Sequence, residues 1–155
     1  MKNRTLNLLN LPDDILFRAG GCHVFALALR GFSKLPLLWI RGSEGYDHLA
    51  CNPESGCVLD YFGFFTKHEY VHEEILSDRG IYFSPITEEE IRSRYTLTSG
   101  RGYYADPEFL KQAKVRAKSW ISKHHPYFDG TVRGMIPGVK RATTSSKSNI
   151  DKLFQ

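Results

Sequence analysis

The sequence predicts an α+β fold in which a central buried helix packs on a small antiparallel sheet, with additional helices around it. Three observations predict this fold. The segment CHVFALAL at residues 22–29 is almost wholly apolar, short apolar runs between turn residues occupy positions 35–63, and apolar side chains recur at helical spacing over residues 106–125. A surface helix keeps a polar face, so the first segment is expected to be a buried helix. Short apolar runs bounded by turn residues are typical of strands.

Length and composition favour one folded domain followed by a tail. The chain has 155 residues, of which 41% are hydrophobic and 13% aromatic, which suits a single globular unit. The whole net charge of +4 lies after residue 130, where Asp151 is the one acid among five basic residues: Arg133, Lys140, Arg141, Lys147 and Lys152. We therefore predict a single domain over residues 1–130 and a basic, flexible tail over residues 131–155.

The first half of the chain predicts two helices and a strand. A proline and two acids at residues 12–14 begin a short helix that is expected to end before Gly20. The apolar segment begins the second helix at Cys22, and Arg30 and Gly31 are expected to end it. Residues 35–40, LPLLWI, predict a buried strand with its proline near the start.

Residues 48–52 and 56–63 predict a hairpin joined through the segment Pro53-Glu54-Ser55. If the hairpin folds symmetrically about Glu54, His48 lies directly opposite Asp60, with Cβ atoms about 4.5–5.5 Å apart. Cys51 then lies opposite Cys57 on the other face of the sheet, because side chains alternate along a strand.

The second half of the chain predicts three helices and one strand. Thr66 with Glu69, and Thr87 with Glu90, form two capping boxes that each open a helix, and residues 81–83 between them predict a strand. The segment Asp106-Pro107-Glu108 opens a long amphipathic helix that ends near residue 124. Its apolar side chains at helical spacing are Phe109, Ala113, Ala117, Trp120 and Ile121.

Cys22 stands where a Gly-Gly turn enters a helix, which is a position that changes thiol chemistry. The unpaired N–H groups and the positive end of the helix dipole favour a thiolate over a thiol. The same N–H groups are also placed to stabilise an oxyanion that develops during a reaction. The alternative for Cys22 is a small core residue, and the alternative for His48 with Asp60 is a cross-strand polar contact.

Together these segments resemble the papain-like fold: a cysteine at the start of a buried helix (AGGCHVFALAL), a histidine that begins a later strand (HLACN), and an acid on the next strand (GCVLDYFG). The superfamily includes cysteine peptidases, cell-wall amidases, transglutaminase-like enzymes and bacterial glutamine deamidases. The resemblance covers residues 20–63. It implies that Cys22 is the nucleophile, His48 the general base and Asp60 the group that orients the imidazole.

The resemblance further implies a thiol-dependent hydrolase or acyl-transfer enzyme that cleaves an amide, in a peptide or a glutamine side chain, through a thioester intermediate. A protein or peptide is the implied substrate, and neither a cofactor nor a metal is implied. Residues 13–21 contain no glutamine, the residue that supplies an oxyanion donor in papain-type peptidases. The short separation of Cys22 and His48 also leaves little room for the substrate-binding subdomain of such a peptidase.

A different class of function stays open, namely a non-catalytic interaction protein on the same fold, such as a bacterial or phage effector or a toxin partner. Such a protein has no reason to lower the pKa of Cys22. The basic tail is the only feature that favours nucleic acid as a partner, and we do not expect that partner. The sequence leaves the oligomeric state open.

Metal binding and a second catalytic histidine are not expected. Zinc-type ligands occur near His48, but Cys51 and Cys57 are predicted on the opposite face of the sheet. His68 and His72 lie four residues apart on a predicted helix with no third ligand. His23 is expected to point away from Cys22 as a packing or surface residue.

The sequence contains no apolar run near the ~18 residues that span a bilayer. Asparagines and acids interrupt the first 14 residues, where a secretory signal has an apolar core. We therefore expect a cytoplasmic protein, or an effector exported by a signal-independent route.

Overall fold

The computed structural model describes residues 8–42, 45–73, 80–97 and 106–139, and it confirms the α+β class. The helices are α1 (Asp13–Ala19), α2 (Cys22–Ser33), α3 (Lys67–Glu73), α4 (Glu88–Leu97), α5 (Pro107–Lys123) and α6 (His125–Phe128). The strands are β1 (Leu37–Gly42), β2 (Asp47–Cys51), β3 (Cys57–Asp60), β4 (Gly63–Thr66), β5 (Ile81–Pro85) and β6 (Gly134–Met135). Within the described ranges, no helix has both the length and the apolar character that crossing a membrane requires.

The six strands form one antiparallel sheet in the order β5-β1-β2-β3-β4-β6. Strands β2 and β3 therefore lie at the centre of the sheet, and all of their residues are buried except Asp47. Polar side chains on these two strands are held away from bulk water by their neighbours on both sides.

Helix α2 is the central helix of the fold, because it packs against β2 on one side and against α5 on the other. Its buried side chains are Cys22, His23, Val24, Phe25, Ala26, Ala28 and Leu29. This double burial explains why the segment has no continuous polar face in the sequence.

Helix α2 continues to Ser33, so the prediction that Arg30 and Gly31 end it is wrong. A glycine inside a helix costs only about 0.5–1 kcal/mol, which the packing of the buried turns before it outweighs. The helix ends at Lys34, whose φ of 56° lies in the left-handed region and whose N–H donates to the Arg30 carbonyl.

The register of the β2–β3 hairpin differs from the predicted one by two residues. Cys51 pairs with Leu59, not with Cys57, so the predicted facing pair of cysteines is wrong. The reason lies in the turn, where Gly56 adopts a φ of 80° and Cys57 N–H closes onto the Glu54 carbonyl, which moves the centre of the hairpin from Glu54 to residue 55. A shift of two residues keeps every side chain on its face, so His48 and Asp60 become diagonal neighbours on one face.

The predicted strand over residues 56–63 is divided in two by a turn at Tyr61 and Phe62, after which β4 pairs with β3. Gly63 follows this turn with a φ of 135°, and a Cβ atom there would lie 2.1 Å from the Gly134 carbonyl oxygen. Only glycine permits β6 to approach β4 this closely.

The predicted helix starts are confirmed by their hydrogen bonds. In both capping boxes the threonine Oγ1 accepts from the glutamate N–H at 3.1 Å, and the glutamate carboxylate accepts from the threonine N–H at 3.0 Å. Asp106 caps α5 by accepting from the N–H groups of Glu108 and Phe109. Helix α5 buries Phe109, Ala113, Ala117 and Ile121, in agreement with their spacing.

The folded domain extends beyond the predicted boundary at residue 130. Strand β6 pairs with β4, and Ile136 is fully buried and donates its N–H to the Phe62 carbonyl. Arg133, predicted as part of a flexible tail, forms an ion pair with Glu54 and lies 4.7 Å above the Phe64 ring. The described structure reaches residue 139, and the rest of the predicted tail, residues 140–155, lies outside the described residues.

Ile136→Ala tests this boundary. Because Ile136 is fully buried, the substitution should lower the free energy of unfolding by about 2–5 kcal/mol in urea denaturation. Val132→Ala, at a side chain that is 37% exposed, is the matched control and should change it by less than about 0.5 kcal/mol. Equal, small effects of both substitutions would mean that the segment after residue 130 is not part of the core.

Candidate active site

The buried polar side chains of the described residues, tyrosines aside, belong to one cluster. They are His23, His48 and Asp60, which are 0%, 3% and 2% exposed, and the two histidines interact with Cys22. Burying an ionisable group is costly unless hydrogen bonds or opposite charges compensate. The concentration of these groups around a single thiol therefore marks the cluster as a candidate active site.

Cys22 is the first residue of α2, directly after the Gly20-Gly21 turn. Both glycine N–H groups donate to the Leu16 carbonyl at the end of α1, and a Cβ on Gly21 would lie 3.0 Å from that oxygen. A side chain at position 21 would therefore crowd Leu16. The helical hydrogen bonds begin with Phe25 N–H and the Gly21 carbonyl, so the N–H groups before Phe25 lie at the end that bears Cys22.

His48 and Asp60 are brought together by the two central strands. His48 Nε2 lies 3.2 Å from Asp60 Oδ2, and Asp60 Oδ1 accepts the N–H of Phe62 at 2.9 Å. The Phe62 amide therefore fixes the carboxylate, and the carboxylate fixes the imidazole. Because Nε2 is engaged by Asp60, Nδ1 is the ring nitrogen that remains for Cys22.

The electrostatics of the cluster favour a thiolate–imidazolium pair. Burial raises the pKa of the Cys22 thiol. The interactions with His23 and His48, and the charges of these two histidines, lower the pKa by a larger amount, so that its net value is about 6. Burial likewise lowers the pKa of His48, but hydrogen bonds to Asp60 and Cys22 and their negative charges raise it to about 10. Between these two values Cys22 carries a negative charge and His48 a positive one.

The two other cysteines have pKa values shifted in the opposite direction. Burial raises the pKa of Cys51 to about 12, and Cys51 Sγ donates to the Ala26 carbonyl at 3.5 Å. Burial, together with the charge of Glu54, raises the pKa of Cys57. Burial raises the pKa of both thiols, so the opposite direction of the two net shifts arises from their neighbours, which are two histidines at Cys22 and Glu54 at Cys57.

Among the described residues, no group of three or more His, Cys, Asp or Glu side chains has an arrangement that holds a metal ion. His68 and His72 lie on α3, and both are exposed.

Sequence reasoning missed three residues of the site. His23 was expected to point away from Cys22, but it is fully buried, and its interaction with the Cys22 side chain lowers the pKa of that thiol. The other two are Tyr46 and Tyr70, whose hydroxyl groups form a hydrogen bond and whose rings lie 6.3 and 6.1 Å from the His48 ring. The Tyr70 ring is nearly parallel to the imidazole, at 22°.

Only one of these residues had a signal in the sequence. Tyr46 precedes His48 by two residues, and alternation along an extended segment places such residues on one face. Tyr70 lies on α3, and its approach to His48 depends on how α3 follows β4. His23 lies next to Cys22, but its direction depends on what packs against the first turn of α2.

Comparison of the chain with protein-family models, with curated proteins and with solved structures gave no match.

The pH dependence of alkylation tests the electrostatics. The thiolate is the reactive form, so the rate of Cys22 alkylation by iodoacetamide should rise with pH and reach half of its maximum near pH 6. Burial and the charge of Glu54 raise the pKa of Cys57, so its alkylation in the same sample should rise only at a higher pH than that of Cys22. Peptide mapping by mass spectrometry separates the two rates. Superimposable profiles for both cysteines would disprove the thiolate.

His23→Leu tests the contribution of the second histidine. Loss of the His23 imidazole should move the midpoint of Cys22 alkylation to higher pH by about one unit or more, because an interaction that lowers this pKa is removed. His68→Leu removes an exposed histidine outside the cluster and should leave the midpoint unchanged. A midpoint in His23→Leu equal to that of the unmodified protein would show that His48 alone sustains the thiolate.

Proposed function

We propose that this chain is a papain-like thiol hydrolase or acyl-transfer enzyme that cleaves an amide through Cys22, His48 and Asp60. The observation that carries the proposal is the buried cluster at the start of α2, in which His48 Nε2 lies 3.2 Å from Asp60 Oδ2 and His48 interacts with Cys22 and lowers the pKa of its thiol. The order of the three residues along the chain and the packing of α2 on β2 agree with a papain-like arrangement.

The first half of the reaction acylates the enzyme. The Cys22 thiolate attacks the carbonyl carbon, a C–S bond forms, and the carbonyl electron pair moves to the oxygen. The N–H groups at the start of α2 stabilise this oxyanion, together with the positive end of the helix dipole. When the oxyanion collapses, the C–N bond breaks, and the His48 imidazolium gives its proton to the leaving nitrogen.

The second half of the reaction restores the thiolate. Neutral His48 accepts a proton from an incoming water molecule, whose oxygen attacks the thioester carbon, and the C–S bond breaks to release a carboxylic acid. An amine in place of water makes the reaction an acyl transfer. Asp60 keeps its charge throughout and stabilises the imidazolium that is present before acylation and that forms again during deacylation.

The burial of the nucleophile favours slender substrates. Cys22 is 6% exposed, so its sulfur is reached more easily by an extended group than by a folded surface. The amide of a glutamine side chain, at the end of a flexible stem, satisfies this requirement. A glutamine side chain in a protein or peptide is therefore the substrate that we favour, which makes the enzyme a deamidase when water is the acceptor.

An activated ester tests the acylation step directly. Incubation with p-nitrophenyl acetate at neutral pH should give a burst of p-nitrophenolate and a single acetyl group on Cys22, detected by intact-mass spectrometry and peptide mapping. Cys22→Ala should abolish the burst, and Cys57→Ala, which removes an equally exposed cysteine, should leave it unchanged. A Cys22 that is alkylated rapidly but is never acylated would overturn the enzymatic function and leave a binding protein.

Substitution at Asp60 tests the orientation of the imidazole. Asp60→Ala should lower the rate of ammonia release from a glutamine-containing peptide by about 10²–10⁴-fold, since His48 loses the bond that holds its productive tautomer. The stability of the variant should be followed by urea denaturation, so that a loss of activity can be compared with any loss of folding. Retention of full activity in folded Asp60→Ala would remove Asp60 from the mechanism.

A further inference from the structure

A cavity lies between α2 and α5, toward the end of α2 that is far from Cys22. Its volume is about 440 Å³. We name it the α2–α5 groove and define it by its lining residues, which are Leu27, Ala28, Gly31, Phe32, Lys114, Lys118, Ile121, Ser122 and His125. Its volume falls within the range of about 300–1,000 Å³ that is typical of ligand sites.

The floor of the groove is apolar and its rim is basic. Ala28 and Ile121 are buried at the floor, and Phe32 beside them is 45% exposed, which is unusual for so large an apolar side chain. Lys114 and Lys118 lie one turn apart on α5, and both are exposed. The groove therefore combines uncovered apolar surface with two cationic side chains.

The charges of the rim are available to a partner. None of the ion pairs formed among the described residues uses Lys114 or Lys118. Among the described residues, no acidic side chain lines the groove, and the nearest link to one is the ion pair of His125 with Asp129. Within a Debye length of about 8–10 Å, this rim attracts anionic groups.

Gly31 shows that the groove is open where α2 borders it. A Cβ atom built on Gly31 meets no atom within 4 Å, although the residue lies inside a helix where a glycine is intrinsically unfavourable. The missing side chain leaves room beside Phe32 for a group that comes from elsewhere.

We propose that the α2–α5 groove binds an acidic segment of a partner protein, with one large apolar side chain of that segment on the floor and carboxylates against Lys114 and Lys118. Charge complementarity at the rim selects acidic residues, and the apolar floor selects a segment that also carries an aliphatic or aromatic side chain. The proposal does not depend on the proposed function, since the groove shares no residue with the Cys22 cluster.

A protein segment fits the groove better than a nucleic acid does. The lining provides two lysines but an extended apolar surface, whereas single-stranded nucleic acids require a cationic track with aromatic stacking platforms. Phe32, the one aromatic side chain here besides His125, already makes an edge-to-face contact with the His125 ring. Phosphates would find few cations, and bases would find no free ring face of a second aromatic residue.

The proposal can be tested by fluorescence anisotropy with a labelled acidic peptide that contains one central leucine among glutamates. Binding of this peptide should be measured with the full chain and with Cys22→Ala. Both should bind the peptide with the same affinity, and a peptide with serine in place of leucine should bind at least about fivefold more weakly. Lys114→Glu with Lys118→Glu should weaken binding by at least about tenfold. The control variant is Lys111→Glu with Lys123→Glu, at two exposed lysines of the same helix that lie outside the groove. It changes the net charge by the same amount and should weaken binding by less than about threefold.

Gly31→Leu supplies an independent variant that fills the groove from within. Because a Cβ atom at Gly31 meets no atom within 4 Å, this variant should fold at least as stably as the unmodified chain in urea denaturation, yet lose peptide binding by tenfold or more. Gly31→Ala, with a side chain too short to fill the groove, should retain binding. Equal weakening by the two lysine pairs, full binding by Gly31→Leu, or tighter binding of a single-stranded oligonucleotide than of the peptide would each overturn the proposal.

Discussion

The hydrogen bond between His48 and Asp60 is the interaction on which the arrangement of the site depends. Both side chains are buried on central strands, where an unpaired imidazole or carboxylate would be costly. Asp60 is itself held by the Phe62 N–H, at the turn that begins β4. The local path of the chain at residues 60–63 thus determines the orientation of a ring that lies on β2.

The position of α2 adds the third member of the cluster. This helix lies between the sheet and α5, so its first turn faces β2 while its last turns border the α2–α5 groove. A single buried helix therefore brings its dipole and its first N–H groups to Cys22 and leaves its other end open to a partner. Burial raises the cost of a charge at Cys22, and the two imidazoles offset that cost.

Tyrosines complete the surroundings of His48. The rings of Tyr46 and Tyr70 flank the imidazole, and the hydrogen bond between their hydroxyl groups joins the segment before β2 to α3. Aromatic faces carry negative charge density, which suits a histidine that is protonated at neutral pH. The two tyrosines thereby limit the rotation of the ring that Asp60 orients.

Much of this architecture was determined by the sequence itself, because the signals are local. The Gly-Gly turn, the two capping boxes and the Asp106 cap each place a hydrogen bond between residues a few positions apart, and each is present in the structure. Alternation along the strands likewise placed His48 and Asp60 on one face, and that conclusion survives the two-residue change in register because the side-chain period is two.

Tertiary structure decided the features that no local pattern specifies. The register of the β2–β3 hairpin depends on the conformation of Gly56. The extent of the domain depends on the pairing of β6 with β4. The burial of His23 depends on what surrounds the first turn of α2. The contacts of Tyr70 with His48 and the groove between α2 and α5 join segments that are distant in sequence. A sequence determines such contacts only through the packing of the whole chain, because their energy comes from burial shared by many residues and not from a bond between near neighbours.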